Sequence, residues 1–189
     1  TGRVGERPFE RDLRADHHGL HTAMRRVLGA AMLTVLAVMQ VTLAPRLEVG
    51  AAFPNLILLA VVAITWTRGV RAGLVWACFG GLLLDLTSSG PIGLHALALL
   101  AGVYVIGFWT RNLEHASAAH AALTAAAATL LYSLLLVAAD DTLSLAVPPP
   151  AIAAQLAVTA AIYNALLAPF ALEVGRRLDA IGRPEPDVA

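Results

Sequence analysis

The chain has 189 residues, 58% of them hydrophobic and 14% charged, with a formal net charge of zero and a mean hydropathy of +0.73. Soluble domains carry about a quarter charged residues, so this composition excludes an ordinary soluble protein, and the length leaves no room for a sizeable soluble domain beside a membrane one. The single cysteine, Cys78, excludes an internal disulfide and a zinc site built on cysteines. Nothing in the zero charge balance points to nucleic acid, and none is expected as a partner.

Residues 1–24 are polar, rich in Arg, Asp and Glu, and hold His17, His18 and His21. Such a segment lacks the apolar surface to fold alone and reads as a disordered or amphipathic cytoplasmic arm. Met24 precedes Arg25, Arg26 and a long apolar run, the usual opening of a small membrane protein. The residues before Met24 are therefore expected to be dispensable for insertion.

Apolar runs follow at 27–44, 50–67, 72–86, 92–110, 116–139 and 151–172. A helix needs about 20 residues to cross the hydrocarbon core, with a range near 17–25, and five of the six runs meet that length. The first run has the flank of a signal peptide, but further spans follow it, which favours an uncleaved anchor. Pro45, Pro54, Pro91 and the run Pro148-Pro149-Pro150 fall at or near the boundaries, where a missing backbone donor is tolerated. Asp140 and Asp141 with that proline run are expected to form a stiff, acidic external loop.

Every basic residue is Arg. With the N-terminus inside, twelve of the thirteen fall in cytoplasmic parts and only Arg46 outside, as the positive-inside rule requires for six spans. The expected fold is an all-α integral membrane protein: a compact bundle of about six transmembrane helices, N-in and C-in. It comprises the arm at 1–24, a transmembrane domain at 25–178 and a cytoplasmic tail at 179–189.

The informative stretch runs from Gly80 to Ala96 and holds Asp85, the one acid flanked on both sides by apolar helix. Measured from Arg71, Asp85 lies about 21 Å along the third helix. A core about 30 Å thick leaves it inside the outer half. A lipid-facing carboxylate at mid-membrane costs about 2.5–3.5 kcal/mol on insertion scales, so Asp85 should face protein or a wet cavity. Gly73, Ala77, Gly81 and Asp85 recur at intervals of four, a ridge of small residues that lets helices approach closely. Ala160, Asn164 and Ala168 make a second such ridge around an intramembrane amide. Two roles stay open for Asp85, one in binding and one in capping a short helix or knitting the bundle; for Asn164 the structural role is favoured.

Other candidates are weaker. His95 reads as an interfacial or packed histidine, and His115 and His120 sit where a helix begins on the cytoplasmic side. There is no H-E-x-x-H, G-x-S-x-G or phosphate-loop pattern, and no second carboxylate or nucleophile faces Asp85. No catalysis, metal or cofactor is expected.

Three segments, Phe53-Pro54-Asn55-Leu56, Gly81-Leu82-Leu83-Leu84-Asp85-Leu86 with Gly90-Pro91-Ile92-Gly93-Leu94-His95-Ala96, and Tyr163-Asn164-Ala165-Leu166-Leu167-Ala168-Pro169, together resemble the rod shape-determining protein MreD family. The resemblance runs in order from about residue 27 to 178. It implies a non-enzymatic subunit of the bacterial elongation machinery in the cytoplasmic membrane, guiding lateral peptidoglycan synthesis. The implied partners are MreC, the MreB filament, RodA and a class B penicillin-binding protein, besides membrane lipid. Pro54, Asn55, Gly81, Asp85, Pro91, Gly93 and Asn164 are the candidate partner-binding or bundle-stabilising residues. The family is also distantly similar to the six-helix substrate-binding S components of vitamin transporters. As an alternative, such a subunit would need an outward cavity near Asp85, Ser88, Ser89 and His95.

Overall fold

A computed structural model describes residues 27–42, 53–88, 90–110, 117–143 and 148–181. The arm at 1–24 with its histidines, Met24, the Arg25–Arg26 pair, Pro45, Arg46, Ser89, Arg111, His115 and Arg183 lie outside the described residues. The described residues form six helices and no strand: α1 (Val27–Thr42), α2 (Leu56–Arg68), α3 (Val70–Thr87), α4 (Leu94–Thr110), α5 (Ala118–Thr142) and α6 (Pro150–Ile181).

α2 is the axis of the bundle. Ile57, Leu58, Leu59, Val61, Val62, Ala63 and Thr65 are all buried, so most of the helix surface is covered, the environment a helix apolar all round requires. It packs against α3, α4, α5 and α6, and Gln40 reaches it from α1. The other helices bury a single stripe. On α6 the inward row is Asn164, Ala168 and Leu172, while Ile162, Leu166 and Phe170 are exposed.

Contacts fix the helix directions. Ile57 lies against Gly80 and Thr65 against Gly73, so α2 and α3 are antiparallel. Asn55 meets Asn164, Ala63 meets Gly175 and Arg68 meets Asp179, so α2 and α6 run parallel. Val70 lies against Gly107 and Ala96 against Gly81, which turns α4 back along α3. Successive helices thus alternate in direction. Arg68, Arg71, Arg176 and Arg177 gather at one end of the bundle, where Arg68 Nε donates to Asp179 Oδ1 at 3.0 Å.

Close approach depends on small residues. Gly73, Ala77 and Gly81, with Asp85, all face inward from α3. A Cβ on Gly81 would run into the backbone of Ala96, and one on Gly80 would sit 2.7 Å from the Ile57 side chain. On α5, Ala121, Ala125 and Ala128 do the same work in its alanine-rich stretch.

Three helices, α3, α5 and α6, are long and apolar enough to cross a membrane; α1, α2 and α4 are apolar but shorter. Several sequence boundaries differ, some for local reasons. α2 has only 13 residues, because Phe53, Pro54 and Asn55 stay outside the helix and Asn55, in extended backbone, is the N-cap. α3, the shortest apolar run, gains a residue or two at each end and reaches 18. Asp140 and Asp141 do not lie in a loop: α5 continues through both to Thr142. Their side chains reach the surface there, so continuing the helix satisfies backbone without burying charge. Pro150 is the first residue of α6, where its missing N–H costs nothing. Pro169 sits inside α6 and leaves the Ala165 carbonyl without its usual donor.

Candidate functional site

The first four N–H groups of any helix lack intrahelical partners, and an apolar surrounding supplies none. α4 meets this problem with no Ser, Thr, Asp or Asn at its start; Gly90-Pro91-Ile92-Gly93 precedes it. The acceptor comes from α3. Asp85 Oδ2 accepts from Gly93 N at 2.9 Å and from Ala96 N at 3.4 Å, while Oδ1 accepts from His95 N at 2.9 Å. The Pro91 carbonyl takes the remaining donor, Leu94 N, at 3.5 Å.

Asp85 is only 2% exposed. A carboxylate at a helix N-terminus also meets the positive end of the helix dipole. His95 Nδ1 lies 2.9 Å from Oδ1, so the imidazole adds a fourth contact when Nδ1 carries the proton. Two glycines make the geometry possible. Gly93 has φ +98, a left-handed conformation that turns its N–H toward the carboxylate. Gly81, one helical turn before Asp85, lets the Ala96 backbone settle onto α3.

α2 begins in the same way. Asn55 caps its own helix, Oδ1 accepting from Leu58 N at 2.9 Å. The Asn55 N–H donates to Asn164 Oδ1 of α6 at 3.0 Å, and Ile57 N donates to Gln40 Oε1 of α1 at 3.2 Å. Asn164 Nδ2 donates to Thr129 Oγ1 of α5 at 2.9 Å, and that hydroxyl donates to the Ala125 carbonyl at 2.7 Å.

Tyr132 joins the two clusters. Its ring centre is 6.0 Å from that of His95, and its hydroxyl lies beside the Asn55 side chain. One polar belt therefore draws on all six helices, at the end of the bundle opposite Arg68 and Asp179. Among the described residues no buried side-chain nitrogen or oxygen is left without a partner, and no three His, Cys, Asp or Glu side chains come together. What this arrangement does chemically is bind backbone.

Of the residues singled out from sequence, Gly81, Asp85, Pro91 and Gly93 meet at the start of α4, and Pro54, Asn55 and Asn164 at the start of α2. Asp85 and Asn164 do not bond each other. Sequence reasoning missed Gln40, Thr129 and Tyr132 and undervalued His95. The available signal for Gln40 was an unpaired amide inside the first apolar run. For His95 it was the position, two residues into a helix that has no cap of its own. Ser88 turns its hydroxyl to the Asp85 carbonyl at 3.2 Å. A groove of about 510 Å³ lies elsewhere, among α1, α2, α3 and α6.

A model of the rod shape-determining protein MreD family matches residues 21–169. The chain belongs to the MreD family. The match covers both capped helix starts, Asp85 and Asn164, and begins three residues ahead of Met24. No curated protein and no solved structure matches the chain. MreD membership makes this a membrane protein of rod shape determination, in a family of shape-determining proteins rather than of enzymes. Elongation-machinery and peptidoglycan-synthesis roles follow from that family role.

Proposed function

We propose that this MreD-family protein works as a non-enzymatic scaffold that spans the bacterial cytoplasmic membrane six times, with both ends on the arginine-bearing face. The arm at 1–24 and the tail at 179–189 would then flank a transmembrane domain at 25–178 on the cytoplasmic side. Alternating helix directions and the gathering of Arg68, Arg71, Arg176 and Arg177 at one end support this topology.

One observation carries the scaffold reading: Asp85, buried at the end of α3, spends its oxygens on the α4 backbone and His95. A binding or catalytic carboxylate needs an oxygen free to meet substrate. Asp85 instead fixes the start of α4, whose Leu97, Tyr104 and Phe108 are exposed along its outer side. A rigid helix with large exposed apolar groups suits docking within the membrane plane. MreC is the partner we assign to direct docking, with MreB, RodA and a class B penicillin-binding protein joined through the complex.

The test is co-purification of MreC with Asp85→Ala and Asp85→Asn. If α4 is the docked element, Asp85→Ala lowers the yield of MreC at equal MreD recovery, and Asp85→Asn, which keeps one acceptor oxygen, lowers it less. Undiminished MreC recovery with an inserted Asp85→Ala protein would remove this junction from the interface.

A further inference from the structure

The groove of about 510 Å³ follows α2 from Leu56 to Arg68, its first residue to its last, with α6 on one flank and α1 and α3 on the other. Its walls are nearly all apolar, from Leu56 through Ala60 and Ala63 to Phe170 and Ala171. The Thr67 hydroxyl is already committed to the Ala63 carbonyl at 2.9 Å. Arg68, at the cytoplasmic end, is the one charged residue of the lining.

These features specify the occupant. A polar solute would find no partner along the walls. Thirteen residues of α2 rise about 20 Å, so the groove runs for about the depth of one leaflet. An acyl chain of that length meets almost only apolar side chains along it and leaves the polar head at Arg68. Arg68 spends Nε on Asp179, which leaves the rest of a five-donor fork for a second anion.

We infer that this groove holds one glycerophospholipid of the cytoplasmic leaflet, one of its acyl chains along α2 and its phosphate at Arg68. The inference rests on membrane insertion with Arg68 inside and not on which protein docks to α4. A retained lipid would close the gap between α1 and α6, so that the bundle presents one continuous surface to its surroundings.

Native mass spectrometry of the full-length protein, released from nanodiscs of dioleoyl phosphatidylglycerol or of the same lipid mixed with dioleoylglycerol, tests this. One phospholipid per chain should survive release, at about fivefold higher occupancy than the phosphate-free diacylglycerol. Arg68→Gln should erase that preference and leave an apolar occupant. Asp179→Asn, which breaks the ion pair but keeps the cation, should preserve it. Ala60→Phe on α2 and Ala171→Phe on α6 both add bulk to the groove lining and should each abolish retention. Retention unchanged in a folded filling variant, no retained lipid on the wild-type protein, or no difference between phospholipid and diacylglycerol would each overturn the inference. So would efficient disulfide cross-linking of a cysteine at position 60 to a helix of another chain. Where both filling variants fail to fold, the wild-type occupancy and the Arg68→Gln comparison decide the matter alone.

Discussion

Replacing Asp85 by Ala removes the acceptor of three backbone donors at once. Two are well placed, Gly93 N and His95 N at 2.9 Å, and the third, Ala96 N at 3.4 Å, is weaker. An orphaned buried donor costs about 1–3 kcal/mol. His95 keeps a fifth of its side chain exposed, so some water reaches the site and the lower part of that range applies. Two full donors and a partial one then amount to about 3–5 kcal/mol. Asp85→Asn keeps one carbonyl oxygen and should cost about half as much, which sets the order wild type, Asn, Ala. The assay is reversible unfolding in mixed micelles, followed by helical circular dichroism. Asp85→Ala within about 0.5 kcal/mol of wild type, or Asn as damaging as Ala, would refute the capping assignment.

Two further substitutions probe the supports of that junction. Gly81→Ala places a methyl group in the Ala96 backbone and should destabilise by about 1–3 kcal/mol; Gly102→Ala is its control, since the added Cβ meets Ala128 at an ordinary 3.5 Å and should be neutral or gain up to about 1 kcal/mol. Equal unfolding midpoints for both would contradict the close α3–α4 contact. Asn164→Ala leaves the buried Asn55 N–H without an acceptor, while Thr129 keeps its bond to Ala125; a loss of about 1–3 kcal/mol is expected in the same unfolding assay.

Much of the bundle is legible in the residues themselves. The alternation of arginine between loops anticipates the alternation of helix directions, because each Arg must stay at water while each apolar run is buried. The four-residue ridge ending in Asp85 predicts an inward carboxylate, and Asp85 is inward. What it bonds is not written in any pattern of side chains, since its partners are backbone groups of the next helix. They come within reach only through the positive φ of Gly93 and the missing side chain of Gly81. The clue was an absence: α4 starts after Gly93 with no capping side chain of its own. Asn55 gave a stronger signal, as an Asn directly ahead of an apolar run, and it is the cap of α2. Its link to Asn164 across more than a hundred residues needed the structure. Helix lengths were harder to read, because hydropathy does not show that Phe53-Pro54-Asn55 stays outside the helix. It also does not show that Asp140 and Asp141 still belong to α5.

The most direct measurement is amide hydrogen exchange over residues 93–96 in the wild-type protein and in Asp85→Ala, both reconstituted in nanodiscs. If the carboxylate holds the start of α4, these amides exchange slowly in the wild type and at least tenfold faster, by about 1.4 kcal/mol or more, in the variant, with α5 unchanged. Fast exchange at Gly93 and His95 in the wild type, or equal protection in both proteins, would contradict the account.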